Sequence, residues 1–199
     1  MGHVLTRREA REAVFMLLFE TEFHGEDTPQ EILNVAREER ELGDNSYIED
    51  TYLGVVRYSQ ALDALINRFS NGWKADRLSR VSRAAIRLCV YEMLFCQDIP
   101  ETVSLNEAIE LTKKYDDPKA RAFVNGVLNR IKDEIDEQGT EAMIRSFALN
   151  DSDRDNVPVE AGIADVTEAV CTENEKQAPL GEVEADTPAS DRNDAGETD

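Results

Sequence analysis

Four times the chain writes Ser or Thr, two residues, then Glu, ahead of an apolar run: Thr6 with Glu9, Thr28 with Glu31, Ser46 with Glu49, and Ser104 with Glu107. In such a box the hydroxyl accepts from the backbone N–H three residues on while the carboxylate reaches back, so each pair marks a helix start. Pro29 and Pro118 carry the same message, because proline at a first helical position gives up an N–H that has no partner there anyway. Between these starts apolar residues recur at helical spacing, no stretch alternates convincingly with period two, and the connections are short. An all-α chain is the expectation.

Taken in order, the helix after Thr6 is stapled by Leu5 and Ala10 and is apolar almost all round. Ala10, Ala13, Val14, Leu17 and Thr21 form one face, and Phe15, Leu18 and Phe19 lie around the other. A helix of that kind is buried between two layers. His24-Gly25 ends it. The second helix, from Thr28, carries Ile32, Leu33, Val35 and Ala36 and is stopped by Gly43. Ser46 is read as opening one long helix through Tyr52, Val55, Val56, Ser59, Leu62, Ile66 and Phe69, closed by Asn71-Gly72. After a link beginning at Trp73, Asp76 or Ser79 caps a buried helix that runs from Val81 past Phe95. Pro100 then starts an extended link, and Ser104 opens a helix to Tyr115 with Val103 and Ala108 as its staple. Asp117 caps the next, along which Val124, Val127, Leu128, Ile131 and Ile135 form one stripe.

Charge divides the chain. Residues 1–136 hold 18 Lys and Arg against 25 Asp and Glu, a net of −7, whereas 137–199 hold 4 against 17, a net of −13. The first part is long enough for a sizeable core and is read as one helical domain, with subdomains at about 5–71 and 73–136. Residues 137–199, with Phe147 as their one aromatic, are read as an acidic, disordered tail in which Met143–Leu149 could extend the last helix or form a transient one. On a flexible tether that tail is read either as competing with an acidic ligand for basic surface or as a solubility tail with no regulatory effect. Three cysteines do not make a disulfide framework, and Cys89 and Cys96 read as small buried hydrophobes. With neither a signal peptide nor an 18-residue apolar run, the expected location is the cytoplasm.

The chemistry legible in the residues concerns binding. Phe123 shares its side of a helix with Lys119, Gly126 and Arg130, an arrangement suited to stacking an unpaired base, or to covering the edge of the core. Arg7, Arg8 and Arg11 oppose the dipole of the first helix, so they either pair with Glu12 or a neighbouring helix, or contact phosphate. Residues 68–87 carry six basic residues against one acid, and Arg77, Arg80, Arg83 and Arg87 fall near one face. That local reversal of sign points to an acidic or nucleic-acid partner, or to pairing with acids of neighbouring helices. Glu92, inside an apolar run, requires a partner, either the free N–H groups of the Ser104 helix or an arginine. There is no phosphate loop, dinucleotide fingerprint or Ser-His-Asp pattern, and His3 and His24 have no ligand-spaced neighbours. No enzyme activity, metal or cofactor is expected.

The runs VSLNEAIELTKKY and FVNGVLNRI, with RVSRAAIRLCVYEML and TRREAREAVFMLLFETEF before them, closely resemble the NusB family of transcription antitermination factors over about residues 5–136. The resemblance implies two three-helix subdomains that bind single-stranded boxA RNA of ribosomal RNA leaders. It also implies pairing with NusE, a small-subunit ribosomal protein, and assembly with other Nus factors and RNA polymerase; a homodimer is left open. Carried over by motif, the RNA-binding residues are Arg7, Arg8, Arg11, Phe19, Tyr115 and Phe123, with Phe69 and Asn125, and the partner surface lies around Arg77, Arg80, Arg83 and Arg87. Glu9 among the arginines and Ala120, where relatives often carry Ser, depart from the family pattern and predict weaker binding without the partner. A different class of function, a helical adaptor without RNA, is distinguished by salt dependence, because binding through several phosphates weakens steeply with added salt. NusB-like domains also precede rRNA methyltransferases, but the acidic remainder has neither room nor a glycine motif for such a catalytic domain.

Overall fold

The computed structural model of the chain describes residues 4–25, 27–70 and 75–151. Among them lie α1 (Arg7–Thr21), α2 (Pro29–Arg40), α3 (Ser46–Arg57), α4 (Ser59–Phe69), a short 3-10 turn (Ala75–Arg77), α5 (Arg80–Phe95), α6 (Glu101–Tyr115), α7 (Pro118–Gln138) and α8 (Thr140–Asp151), and no strand. The fold class is all-α, as the sequence pattern requires. α1 packs on α2, α3 and α5, and α5 in turn packs on α3, α4, α6 and α7, so α1 and α5 lie at the centre of the helix packing. Both sides of α1 are buried: Ala10, Val14 and Leu17 on one, Phe15 and Leu18 on the other. The stripe of Val124, Val127, Leu128, Ile131 and Ile135 on α7 is buried throughout.

Local signals set most of the starts. The boxes at Thr6 and Thr28 both form, Asp117 accepts from the Lys119 N–H with Pro118 in the first turn, and Ser79 accepts from the Ser82 N–H to cap α5. The other two boxes do not form. Asn45 caps α3, accepting from the Ile48 N–H one residue ahead of the expected Ser46. α6 begins a full turn early, at Glu101, because Pro100 holds an extended backbone (φ −59°, ψ 133°) and offers its carbonyl to the N–H groups of Val103 and Ser104. Ser104 is therefore a buried interior residue, and Val103 is exposed and not part of a staple.

Two further expectations are corrected. α2 ends at Glu41, which takes the left-handed conformation (φ 51°), two residues before Gly43 (φ 65°). The long helix of residues 46–69 is broken at Tyr58 (φ −93°, ψ 11°) into α3 and α4. Apolar spacing runs through that break without a stop signal, and the break coincides with close contacts to α5. The Tyr58 ring stacks on Phe95 with centroids 5.0 Å apart. One turn earlier, a Cβ on Gly54 would lie 2.1 Å from the Tyr91 hydroxyl, so α3 crosses α5 at a point only glycine allows.

The helical body continues past residue 136. Gly139 (φ 84°) turns the chain into α8, which lays Met143 and Phe147 against the core and packs on α5 and α7. The Phe147 ring lies 6.4 Å from that of Tyr58. The expected disorder of the remaining tail, its competition for basic surface, the Asn71-Gly72 stop, Trp73, His3 and Cys171 fall outside the described residues. Cys89 and Cys96 are buried free thiols, and burial pushes both up, Cys96 to about 12.

A candidate nucleic-acid interface

Glu92 is fully buried on α5, and its partner is an arginine. Arg11, only 3% exposed, donates from Nε to both Glu92 oxygens at 2.9 and 3.1 Å, and the Tyr47 hydroxyl donates to the same carboxylate. Burial opposes the charge on Arg11, but Glu92, with Tyr47 and Glu107, outweighs it, and the guanidinium pKa is raised. Burial, then the carboxylate, drives the Tyr47 hydroxyl far up. The start of the Ser104 helix plays no part. Arg11 thus lies inside the protein and does not extend into solvent; its Nη2 is buried and has no hydrogen-bond partner.

Above this centre, α1 and α6 enclose a groove of about 160 Å³ lined by Arg8, Arg11, Glu12, Glu107, Glu110, Leu111 and Lys114. Arg8 is 68% exposed at its side chain, and its Nε lies 3.5 Å from Glu107. Glu12 is held by Lys114 at 2.6 Å and by the Tyr115 hydroxyl, and these two hydrogen bonds keep its carboxyl below the usual range. Tyr115 stacks on Phe15 of α1, centroids 5.3 Å apart, with Lys114 over its ring. Arg7 turns away from the groove, to Asp98 at 3.2 Å and over the face of Tyr47.

A second grouping lies on α7. Phe123 is half-buried against the core, Lys119 one turn before it is exposed, and a Cβ added at Gly126 would meet nothing within 4 Å. Arg130 donates to the Phe69 carbonyl at 3.2 Å, and Arg68 lies over the Phe69 ring, so Phe69 sits at the same helix. Asn125 is exposed, but two residues along a helix do not share a face, so it looks away from Phe123. Its backbone and side-chain oxygens accept from Asn129. Phe19 lies half-buried on α1, edge-on to Phe23.

The four arginines at the start of α5 are not equivalent. Arg83 and Arg87 are sunk to 14% and 16% side-chain exposure, and both bind Glu22; Arg87 also takes Asp63 bidentately at 2.8 and 2.7 Å. Arg80 lies 3.8 Å from Glu22 and covers the Phe23 ring, which is itself 57% exposed. Arg77 is exposed. Sequence reasoning passed over Glu22, Asp63, Phe23 and Glu107. A signal for Glu22 was available: an acid at a helix C-terminus opposes the dipole and calls for cations from elsewhere. Nearby, Asp116 accepts from the hydroxyls of Ser79 and Ser82, fastening the α6–α7 turn to the start of α5. Burial alone would raise its carboxyl pKa, but these bonds and the Asp117 N–H bring it below the ordinary value.

Among the described residues no cluster of His, Cys, Asp and Glu could hold a metal ion, and no helix is long and apolar enough to cross a membrane. The family model of the NusB family matches residues 8–133. The chain is 42% identical over 134 residues to the transcription antitermination protein NusB of Bacillus pumilus, covering 67% of this chain and 100% of that protein. The fold is similar to that of T. maritima NusB (TM-score 0.60, 38% identity, 66% of this chain and 94% of that one). It is also similar to a chain in a crystal structure of antitermination factors NusB and NusE in complex with dsRNA (TM-score 0.57, 31% identity, 63% of this chain and 94% of that one). A match over more than half the chain, the same helical fold and the motifs of α1, α5, α6 and α7 in one order have one reading: the chain belongs to the NusB family.

Proposed function

We propose that this protein is an antitermination factor that binds single-stranded boxA-type RNA of ribosomal RNA leaders together with NusE. It works without catalysis, within an assembly that includes other Nus factors and RNA polymerase. Family membership supports the class of function. The observation that carries the RNA reading is the placement of half-exposed aromatics beside cations. Tyr115 lies next to Lys114 and the Arg8 groove, while Phe123 and Phe69 lie near Lys119, Arg130 and Arg68. Cations position a phosphate backbone, and aromatic faces hold splayed bases. Arg7, which turns away from the groove, and Phe19 enter this reading through the family motif of α1 alone. Arg77 and Arg80, with the exposed ring of Phe23, offer the partner surface, and Arg83 and Arg87 hold it from beneath.

The test is fluorescence anisotropy with a boxA-like single strand and a scrambled control, with and without NusE. Preferential binding that tightens with the partner and weakens steeply with salt supports the reading. Equal, salt-insensitive behaviour with both strands would leave a protein-interaction adaptor, a reading favoured by how many of the arginines are already paired internally.

A further inference from the structure

Most cations at the surface of the described residues belong to an ion pair. Arg57, Arg77, Lys119, Arg121 and Arg130 are the exposed ones that, among the described residues, do not. Arg130 donates to the Phe69 carbonyl, and Arg57 lies over the Tyr58 ring, 5.6 Å from its centroid. The other three gather at one end of the helical body. Arg77 closes the 3-10 turn that leads into α5, and Lys119 and Arg121 lie at the start of α7. Those two helix starts are fastened together, because the hydroxyls of Ser79 and Ser82 both donate to Asp116 in the turn ahead of α7. Arg80, 46% exposed at its side chain, opens α5 at the same end. The carboxylates of the α6–α7 turn are themselves occupied: Asp116 also accepts from the Asp117 N–H, and Asp117 from the Lys119 N–H.

The chain leaves this body at the other end of α5. Phe147 of α8 is buried with its ring 6.4 Å from that of Tyr58, which stacks on Phe95 in the last turn of α5. The 16 residues of α5 span about 24 Å, and an extended chain covers about 3.3 Å per residue, so roughly eight residues past Asp151 bridge the two ends. Residues 152–199 carry 14 Asp and Glu against 3 Lys and Arg. We propose that residues 152–199 dock on the end of the body that carries Arg77, Lys119 and Arg121, and compete there with RNA. An acidic segment and a phosphate backbone offer the same cations the same sign of charge, and the segment has the advantage of being on the same chain. A tethered segment at an effective concentration of about 1 mM, facing a site that holds polyanions at about 0.1 mM, masks that site about tenfold. This inference rests on the RNA-binding reading above and concerns the regulation of that surface.

The experiment compares three proteins: the full chain, a chain ending at Asp151, which keeps α8, and a full-length variant with the 14 carboxylates of residues 152–199 changed to amides. Far-UV circular dichroism checks that all three are folded. In proton–nitrogen correlation spectra at low salt, ending the chain at Asp151 is expected to shift the amide signals of Arg77, Lys119 and Arg121 and to leave those of Arg37 and Arg40 on α2 in place. Unmoved signals at the first three overturn the docking, whatever the RNA result. In fluorescence anisotropy with a fluorescein-labelled boxA-like single strand, the shortened and the amide proteins should both bind about tenfold more tightly than the full chain at low salt, a gain that closes as salt rises. Equal affinity for all three overturns the competition and leaves the RNA reading standing. An amide variant as weak as the full chain overturns charge as the cause. Absence of binding by every protein overturns the RNA reading, and the spectra then decide the docking by themselves.

Discussion

Two arginine groups that look alike in the sequence are used differently at the two ends of α1. At its start, Arg11 is drawn under the surface by Glu92 while Arg8 stays in solvent; at its end, Glu22 gathers Arg83 and Arg87 from α5 and leaves Arg77 and Arg80 outside. The first centre is almost fully buried and closed by a tyrosine hydroxyl, and the second is half-buried and shared among several partners. In a chain of net charge −20, a run of arginines first reports internal pairing, and only the members left over are available to a ligand. Burial decides which arginine does which, because a charge withdrawn from water persists only beside its opposite.

That contrast can be broken by experiment. The largest effect is expected for Glu92→Ala, which strands the Arg11 guanidinium inside the protein and should cost about 3–5 kcal/mol in urea unfolding. Glu22→Ala, at the wetter centre, should cost roughly 2 kcal/mol in the same measurement, because Asp63 still holds Arg87. Equal losses at the two sites would show that they do not differ in burial. Among the residues assigned to RNA, Phe123→Ala should weaken binding by about 1–3 kcal/mol if a base stacks there, and by nothing if the ring only covers the core. Arg8→Ala should lower the slope of log affinity against log salt by about 1 while leaving stability within about 0.5 kcal/mol. An Arg8 variant that unfolds would place this residue with Arg11.

The smallest expected effect is on acid stability. Glu12 and Asp116 have folded pKa values held below their ordinary ones, so their stabilising contributions are complete above the unfolded carboxylate value, about 4, and are lost as pH falls through the folded values. Asp116→Asn should therefore narrow the gap between unfolding midpoints measured at neutral pH and at a pH below that range. An unchanged gap would remove Asp116 from the account.

Much of the architecture was legible from the chain alone. Thr6, Thr28, Ser79, Asp117 and Pro118 act on N–H groups two or three residues away or on their own backbone, so their effect needs no knowledge of the fold. The α7 stripe is a property of helical period, and the family motifs are contiguous strings. Misreadings arose wherever a local signal competed with a distant contact. Ser104 and Glu107 have the spelling of a box, but Pro100 had already started the helix, and Glu107 faces Arg8 and Arg11 across the groove. Tyr58 carries no stop signal, and the helix breaks where its ring stacks on Phe95.

The candidate site divides the same way. Residue types at the surface of α1, α6 and α7 were visible in the sequence, including the aromatics and the cations near them. Which arginines remain free was not, because Arg11 and Glu92 are 81 residues apart and Arg87 and Glu22 are 65 apart. The sequence by itself determined the helical class, most of the helix starts and the family, since these depend on neighbours within a turn or two. Only the tertiary structure decided where each charge sits relative to water, since desolvation belongs to the packed molecule and to no segment of it.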